Sequence, residues 1–267
     1  MDNLLTFNNL SQKEVGIMAR LSFENKNIVS NSELKTYIPN EYGNKNKLIF
    51  NLMRKNVLSP IKRGFYTFNT MASLPTGRRI TNYLIPKIYF PKQNYYIGYA
   101  PMFNYYGLTG QIFQSMVVIN TSISGTKEVN DSIFQFIKVK DEYMYGIIPK
   151  TMMDETVMIS DKERTMIDMM YWYDAVGGLI KAMEKLQEII VENKVDIEKF
   201  INYAIKFPKP AVRKIIGVVL DKANISEALT TTLFDTIKSS SITSADWQLR
   251  RGTLNKKWRI IINDIIT

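Results

Sequence analysis

The sequence predicts an α+β protein in which a small helical front region precedes a larger mixed α/β region that ends in helices and a final strand. Three observations predict this class. Apolar residues recur at helical spacing in the first 56 residues, and β-prone and helical segments are interspersed after residue 95. Between these regions, Pro75-Thr76-Gly77 marks a boundary. With 267 residues, 45% of them apolar, the chain can form a core in each region.

Local start and stop signals define the first two helices. Ser11 and Glu14 have the spacing of a capping box, in which each side chain bonds the other residue's backbone N–H. A second, short helix begins at Ser30 or Asn31, and Pro39 ends it. The three predicted helices of the front region span about residues 10–25, 31–38 and 42–56.

The third predicted helix is amphipathic and basic. Leu48, Ile49, Leu52 and Met53 lie on one side, while the other side is polar. Two β-prone runs within residues 57–68 follow, joined by a turn that contains Gly64, so they predict a hairpin.

This order of elements is typical of a winged helix-turn-helix domain, here residues 1–70. Its third helix buries one face on the first two helices and offers the other face to the DNA major groove. Asparagine suits adenine there, and arginine or lysine suits guanine. The alternative is a helical domain with a solvated basic face. The predicted DNA-binding residues are Asn44, Lys45, Lys47, Asn51, Arg54 and Lys55 on the third helix, Lys62 and Arg63 in the hairpin, and Arg78 and Arg79 beyond it.

The positive charge of the chain is concentrated in one stretch. No acidic residue occurs between Glu41 and Glu128, whereas eleven lysines and arginines do, and the net charge of the whole chain is +10. A local positive field suits a polyanion, which can be DNA, RNA or an anionic membrane surface. The alternative is a basic surface kept for solubility.

Composition excludes several classes of chemistry. The chain has no cysteine and no histidine. Disulfides, zinc or haem sites with those ligands, and Ser-His-Asp or Cys-His catalytic centres are therefore excluded. We expect no catalytic residue, no metal and no cofactor. No signal peptide is recognisable, and no apolar run is long enough to span a bilayer, so a cytoplasmic protein without a membrane partner is the expectation.

The rest of the chain predicts a basic connecting helix, then a C-terminal α/β domain. The connection covers residues 71–94, with a helix from about Arg78 to Tyr89, and the domain covers residues 95–267. Predicted elements of the domain are helices over 95–106, 160–173, 178–193, 196–207, 211–223 and 226–239 and strands over 115–121, 132–139, 156–159 and 258–263.

The densest polar cluster of the C-terminal domain is residues 160–164. Ser160 and Glu163 have capping-box spacing, which favours a structural role at a helix start. Arg164 and Asp168 stand four residues apart and can pair on one helix face. The catalytic alternative is a magnesium-dependent nuclease or nucleotidyltransferase that uses these acids. Its carboxylates would be Asp154, Asp161, Glu163 and Asp168.

Two further clusters have open interpretations. The aromatic run of Tyr95, Tyr96, Tyr99, Phe103, Tyr105 and Tyr106 could stack on RNA bases. The helical spacing of Tyr96, Tyr99, Phe103 and Tyr106 favours core packing instead. Basic residues near the C-terminus could contact phosphates or a partner protein, or form a solvated tail. They are Arg250, Arg251, Lys256, Lys257 and Arg259.

Taken in order, the motifs of this chain resemble those of the AbiEi antitoxin family almost from end to end. They are the winged N-terminus, Tyr99-Ala100 through Tyr106-Gly107-Leu108-Thr109, Val117-Val118-Ile119-Asn120, Ser160-Asp161-Lys162-Glu163-Arg164-Thr165-Met166-Ile167-Asp168, Gly177-Gly178-Leu179, and Arg251-Gly252-Thr253-Leu254-Asn255-Lys256-Lys257-Trp258-Arg259. The antitoxin-domain motif residues carried over are Ser160, Asp161, Glu163, Arg164, Asp168, Arg251, Lys256 and Arg259.

The resemblance implies an antitoxin of a bacterial AbiE-type (type IV) toxin–antitoxin pair, a class of phage abortive-infection system. Its N-terminal domain is expected to bind double-stranded operator DNA, with two copies per operator, and to repress its own operon. Its C-terminal domain is expected to counter a nucleotidyltransferase-like toxin without a stable complex. A stand-alone winged-helix regulator is the alternative.

Overall fold

The chain is a mixed α+β protein. The computed structural model describes residues 10–40, 43–69, 82–111, 113–129, 132–152, 154–245 and 252–262. Backbone contacts divide the chain into two units. The N-terminal unit comprises residues 1–93, 126–135 and 151–157, and the C-terminal unit comprises residues 94–125, 136–150 and 158–267.

Between residues 10 and 69, the N-terminal unit contains three helices and three short strands. The strands form an antiparallel sheet in the order β1-β3-β2. The elements are α1 (Gln12–Phe23), β1 (Ile28–Ser30), α2 (Asn31–Tyr37), α3 (Lys45–Arg54), β2 (Leu58–Lys62) and β3 (Phe65–Phe68).

Capping boxes fix the starts of α1 and α2. The Ser11 backbone N–H donates to the Glu14 carboxylate at 2.7 Å, and the Ser11 hydroxyl accepts from the Glu14 N–H, which confirms the predicted box. Ser30 and Glu33 repeat this arrangement at α2. Each box satisfies N–H groups that have no partner inside the helix.

The helices of the N-terminal unit pack around one apolar core. Ile17 and Leu21 of α1, Leu34 of α2, and Leu48 and Leu52 of α3 are at most 3% exposed. Burying a leucine or isoleucine stabilises a fold by about 1.5–3 kcal/mol. The inner face of α3 is therefore fixed in the core, and this determines which of its residues face outward.

A short helix, α4 (Ile85–Tyr89), also belongs to the N-terminal unit. The predicted connecting helix began at about Arg78, and residues 78–81 lie outside the described residues. The Tyr89 hydroxyl of α4 donates to the Ile61 carbonyl oxygen of β2 at 2.9 Å.

A six-stranded sheet has the order β6-β7-β5-β4-β9-β8. Inside it, β4 runs antiparallel to β5 and parallel to β9. The strands are β4 (Tyr95–Ile97), β5 (Ser115–Asn120), β6 (Gly125–Val129), β7 (Ser132–Lys138), β8 (Ile147–Met152) and β9 (Glu155–Ser160).

The helix predicted over residues 95–106 is wrong in its first half. Tyr95–Ile97 is strand β4, fully buried between two neighbouring strands, and only Ala100–Tyr105 (α5) is helical. Ile97 pairs with Val118 on one side and with Ile159 on the other. Tyr99 has a φ of +53°, which a helix does not allow, so α5 begins after it.

Five helices and a small sheet complete the described part of the C-terminal unit. Their apolar faces share one core with residues of the larger sheet, and Trp258 is fully buried in it. The elements are α6 (Lys162–Tyr171), α7 (Leu179–Val191), α8 (Ile197–Lys206), α9 (Pro210–Lys222), α10 (Glu227–Asp235), β10 (Thr243–Ser244), β11 (Thr253–Asn255) and β12 (Ile260–Ile262). Within the described ranges, no helix has the length and apolar character needed to cross a bilayer.

Candidate nucleic-acid interface

Helix α3 has one face in the core and one face in solvent. Its first turn is fixed by Asn44, whose side-chain oxygen accepts from the Lys47 backbone N–H at 3.1 Å. Leu48, Ile49 and Leu52 are at most 3% exposed and form its inner face. The predicted amphipathic character of this helix is thus confirmed.

The solvent side of α3 presents Lys47, Phe50, Asn51 and Arg54, which we call the α3 outer face. Their spacing places them along one side of the helix. Lys47 and Arg54 are exposed, Asn51 is half-buried, and Phe50 is 54% exposed. Among the described residues, the side-chain polar groups of Lys47, Asn51 and Arg54 have no hydrogen-bond or ion-pair partner, so these groups are available to a ligand.

Two other predicted cations of this region are used inside the protein. Lys45 Nζ donates to the Lys35 carbonyl oxygen at 3.1 Å and to the Asn40 side chain at 3.0 Å. Lys55 Nζ lies 2.7 Å from a carboxylate oxygen of Glu14, whose side chain is only 2% exposed. Lys55 thereby attaches the end of α3 to α1.

The ion pair with Lys55 affects the titration of Glu14. Burial of the carboxyl group opposes its ionisation, but hydrogen bonds from Lys55 and Ser11 outweigh burial and hold the pKa of Glu14 below its ordinary value. The pair therefore stabilises the position of α3 at neutral pH.

The β2–β3 hairpin presents one exposed cation and holds another. Lys62 pairs with Phe65, so Arg63 and Gly64 form the turn, and Gly64 has a φ of +82° that glycine adopts without strain. Arg63 is exposed. Lys62 Nζ instead donates to the Ile88 carbonyl oxygen of α4 and lies 5.3 Å from the centre of the Phe65 ring. Lys62 is thus already engaged within the N-terminal unit.

Phe50 is the residue of this surface that the sequence reasoning did not single out. Its position between Lys47 and Arg54 on the polar side of α3 was the available signal. Three of the other predicted site residues lie outside the described residues. They are Arg78, Arg79 and Arg251.

The motif at residues 160–168 folds as a strand end followed by a helix start. Asp161 caps α6, since its side chain accepts from the Arg164 backbone N–H at 2.8 Å. Ser160 is the last residue of β9, and its hydroxyl lies 2.7 Å from that of Thr165. The predicted capping box of Ser160 and Glu163 is therefore wrong, because the strand extends one residue further and Asp161 takes the cap.

Lys199 of α8 binds both acids at the start of α6. Its Nζ lies 3.0 Å from Asp161 Oδ2 and 2.8 Å from Glu163 Oε2, and the Tyr203 hydroxyl donates to Asp161 Oδ2 at 3.0 Å. Burial opposes the charge of Lys199, but the two carboxylates outweigh it and raise the pKa of the amine. This cluster joins α6 to α8.

Arg164 and Asp168 form an ion pair inside the C-terminal unit. Both side chains are 0% exposed, and Arg164 Nε and Nη2 each lie 3.0 Å from Asp168 Oδ1. Arg164 Nη2 also donates to the Tyr96 hydroxyl at 2.8 Å, and the Tyr145 ring centre lies 4.4 Å from the guanidinium carbon. Burial raises the pKa of Asp168 to about 6, with the attraction of Arg164 acting in the opposite direction.

Three of the four carboxylates of the magnesium hypothesis are engaged with cations, while Asp154 is exposed. Lys199 holds Asp161 and Glu163, and Arg164 holds Asp168. In the part of the chain that the structure describes, no group of three or more acidic side chains could hold a metal ion.

The C-terminal cations have different surroundings, and most of the aromatic run is buried. Arg259 Nε donates to the Ser240 carbonyl oxygen, while Lys256 is exposed. Tyr95, Tyr96, Tyr99 and Phe103 are at most 3% exposed, which confirms core packing for these four rings and leaves them unable to stack on RNA bases, whereas Tyr105 is 42% exposed.

The architecture is similar to that of a known protein over nearly the whole chain. That protein is the RV2827C protein from Mycobacterium tuberculosis, known from a crystal structure. The TM-score is 0.67 at 9% sequence identity, and the match covers 95% of this chain and 92% of that chain. At this identity the likeness shows a shared fold alone. No family model matches the chain, and no curated protein matches it.

Proposed function

We propose that this protein binds double-stranded DNA through the α3 outer face and represses transcription of its own operon. In this proposal α3 lies in the major groove, and Arg63 in the β2–β3 turn contacts the adjacent phosphate backbone. The α3 outer face is the observation that carries the proposal, because it combines cations and an amide that have no side-chain partner among the described residues, on a helix whose opposite face is buried.

The order of elements supports a winged helix-turn-helix. Helices α1, α2 and α3 precede a hairpin, and the short strand β1 joins that hairpin in the order β1-β3-β2. A helix of this kind can enter the major groove only if the preceding helices support its inner face. Leu48 and Leu52 supply that support.

The distribution of charge supports a polyanionic ligand. The described acids of the first 40 residues each have a partner within the N-terminal unit: Glu14 with Lys55, Glu24 with the Tyr37 hydroxyl, and Glu33 with Lys26. Lys47, Arg54 and Arg63 carry exposed positive charge without such partners among the described residues. Neutralising phosphates with these groups releases counterions, which drives binding to DNA.

We further propose, from the resemblance to AbiEi proteins, that the C-terminal unit counters a nucleotidyltransferase-like toxin encoded nearby. A stand-alone regulator would bind DNA in the same way but would have no toxin to counter. Co-expression with a nucleotidyltransferase-like neighbouring gene separates the two, since only an antitoxin restores growth. A full-length Lys47→Ala/Arg54→Ala variant is expected to restore growth and to lose repression.

The DNA-binding proposal is tested on the DNA fragment directly upstream of the protein's own reading frame. Binding is measured by gel shift and by fluorescence anisotropy from about 50 to 200 mM salt, a range over which several phosphate contacts change affinity strongly. The parent is expected to bind this fragment more tightly than an unrelated duplex of equal length, with two copies on each fragment.

Variants locate the surface. Lys47→Ala and Arg54→Ala are each expected to weaken binding and to flatten the plot of log affinity against log salt by about 0.9. Arg20→Ala removes the same charge from an exposed position of α1 and serves as the matched control. Equal affinity and equal salt dependence of all three variants and the parent would contradict the assignment of α3.

A further inference from the structure

Phe50 is a large apolar side chain in the middle of a polar surface. It is 54% exposed, whereas Leu48, Ile49 and Leu52 of the same helix are buried. Lys47 precedes it by three residues, and Arg54 follows it by four, so both cations lie on the same side of α3. Asn51 is its direct neighbour in sequence.

We propose that Phe50 contacts the C5 methyl group of a thymine in the major groove, so that the protein reads an A·T base pair at this position. The inference rests on the proposed function and names what the α3 outer face recognises. Thymine is the one standard DNA base that displays a methyl group in the major groove, and phenylalanine is among the side chains that contact it.

Asn51 lies next to Phe50 and is suited to bind an adenine beside or opposite that thymine. An asparagine side chain can accept from the adenine N6 amino group while donating to N7, and its amide has no other partner among the described residues. An apolar group for the methyl and an amide for the adenine edge thus stand at adjacent positions of one helix. Together they select an A·T-containing site over a G·C site.

The charges around Phe50 favour DNA over a protein or lipid as the partner of this ring. Lys47 and Arg54 are seven residues apart, about 10 Å along a helix axis, which is close to the roughly 12 Å width of the major groove. Cations at both ends of an apolar contact can meet the phosphates that border a groove. A protein partner that buries Phe50 would instead need acidic groups to meet both cations.

The test replaces each thymine of the bound fragment in turn by uracil, which lacks only the C5 methyl group. The parent is expected to lose about fourfold in affinity at one thymine of each half-site, the equilibrium factor for burying about one methyl group. Phe50→Ala is expected to bind thymine and uracil duplexes equally. Phe23→Ala, which truncates a 90% exposed phenylalanine on α1, should keep the full sensitivity of the parent.

The outcomes separate this inference from the proposed function. If the parent binds the upstream fragment specifically but is insensitive to uracil at every position, the inference is overturned and DNA binding stands. If Phe50→Ala keeps the sensitivity, another side chain contacts the methyl group and the inference is again overturned. If the parent binds no duplex specifically, both proposals fail. Thermal unfolding of Phe50→Ala, expected to match the parent, confirms that the variant is folded.

Discussion

Removing the carboxylate of Asp168 is expected to destabilise the protein by about 3–5 kcal/mol. The reason is the environment of Arg164, which stays buried and positively charged when Asp168 is truncated. Both side chains are 0% exposed, and the groups around the guanidinium are aromatic rings rather than a second acid. Tyr96 and Tyr145 offer only ring faces and a hydroxyl group, which do not replace a charge.

A double-mutant cycle measures the coupling of the two charges. Asp168→Leu is expected to cost about 3–5 kcal/mol, because it leaves the charge of Arg164 buried without its counterion. Arg164→Met should cost less, since Asp168, whose pKa burial already raises to about 6, can take up a proton once the arginine is gone. The double variant removes both charges, and its free energy of unfolding should lie within about 2 kcal/mol of that of the parent. The assay is urea unfolding followed by circular dichroism, with the denaturant dependence compared between variants.

An exposed ion pair provides the control for this cycle. Lys185 and Glu188 of α7 lie 3.1 Å apart at the surface, and Glu188→Ala should cost less than about 1 kcal/mol. A cost of the Asp168 variant as small as that of this control would refute the reasoning. A double variant as unstable as the sum of the single variants would refute it as well.

Three further predictions concern stability and are checked by chemical or thermal unfolding. Glu14→Gln should be less stable than the parent at pH 7. The difference should shrink as the pH falls below 4.5, because the low pKa of Glu14 contributes stability only while the carboxylate is ionised near Lys55. Gly217→Ala should lower the free energy of unfolding by about 1–3 kcal/mol, because the added Cβ would overlap the Trp258 indole. Gly16→Ala, whose added Cβ would meet nothing within 4 Å among the described residues beyond its chain neighbours and the backbone of its own helix, should instead raise the free energy of unfolding by up to about 1 kcal/mol.

Local signals in the sequence were sufficient to place the front helices. The capping box at Ser11 depends on residues three apart, and the proline at position 39 follows the end of α2. The apolar spacing of α3 also identified its inner face correctly. Such features involve neighbouring residues only, so they can be recognised without knowledge of the fold.

Strand β4 shows what local patterns miss. Tyr96, Tyr99 and Phe103 have helical spacing, yet Tyr96 lies in a strand because β5 and β9 flank it. Those partner strands come about 20 and 60 residues later in the chain, as the pairs Tyr96–Ile119 and Ile97–Ile159 show. Long-range pairing of this kind overrides a short periodic pattern.

The site was predictable to a similar extent. The helical period places Lys47, Asn51 and Arg54 on the outer side of α3, where the structure has them. The same period could not show that Lys55 pairs with Glu14, because the two residues are 41 positions apart. Lys62 was assigned to DNA from its place in the hairpin, whereas its amine is bound by a carbonyl oxygen of α4.

Photochemical crosslinking tests the central claim most directly, because it reports which surface lies against DNA. A p-benzoyl-phenylalanine placed in the full chain instead of Phe50 keeps an aromatic ring on the α3 outer face, and the same group instead of Lys185 samples a partly exposed position of α7. On the upstream duplex, irradiation is expected to crosslink the protein through position 50 and not through position 185. Crosslinks from position 185 with none from position 50 would contradict the proposed interface.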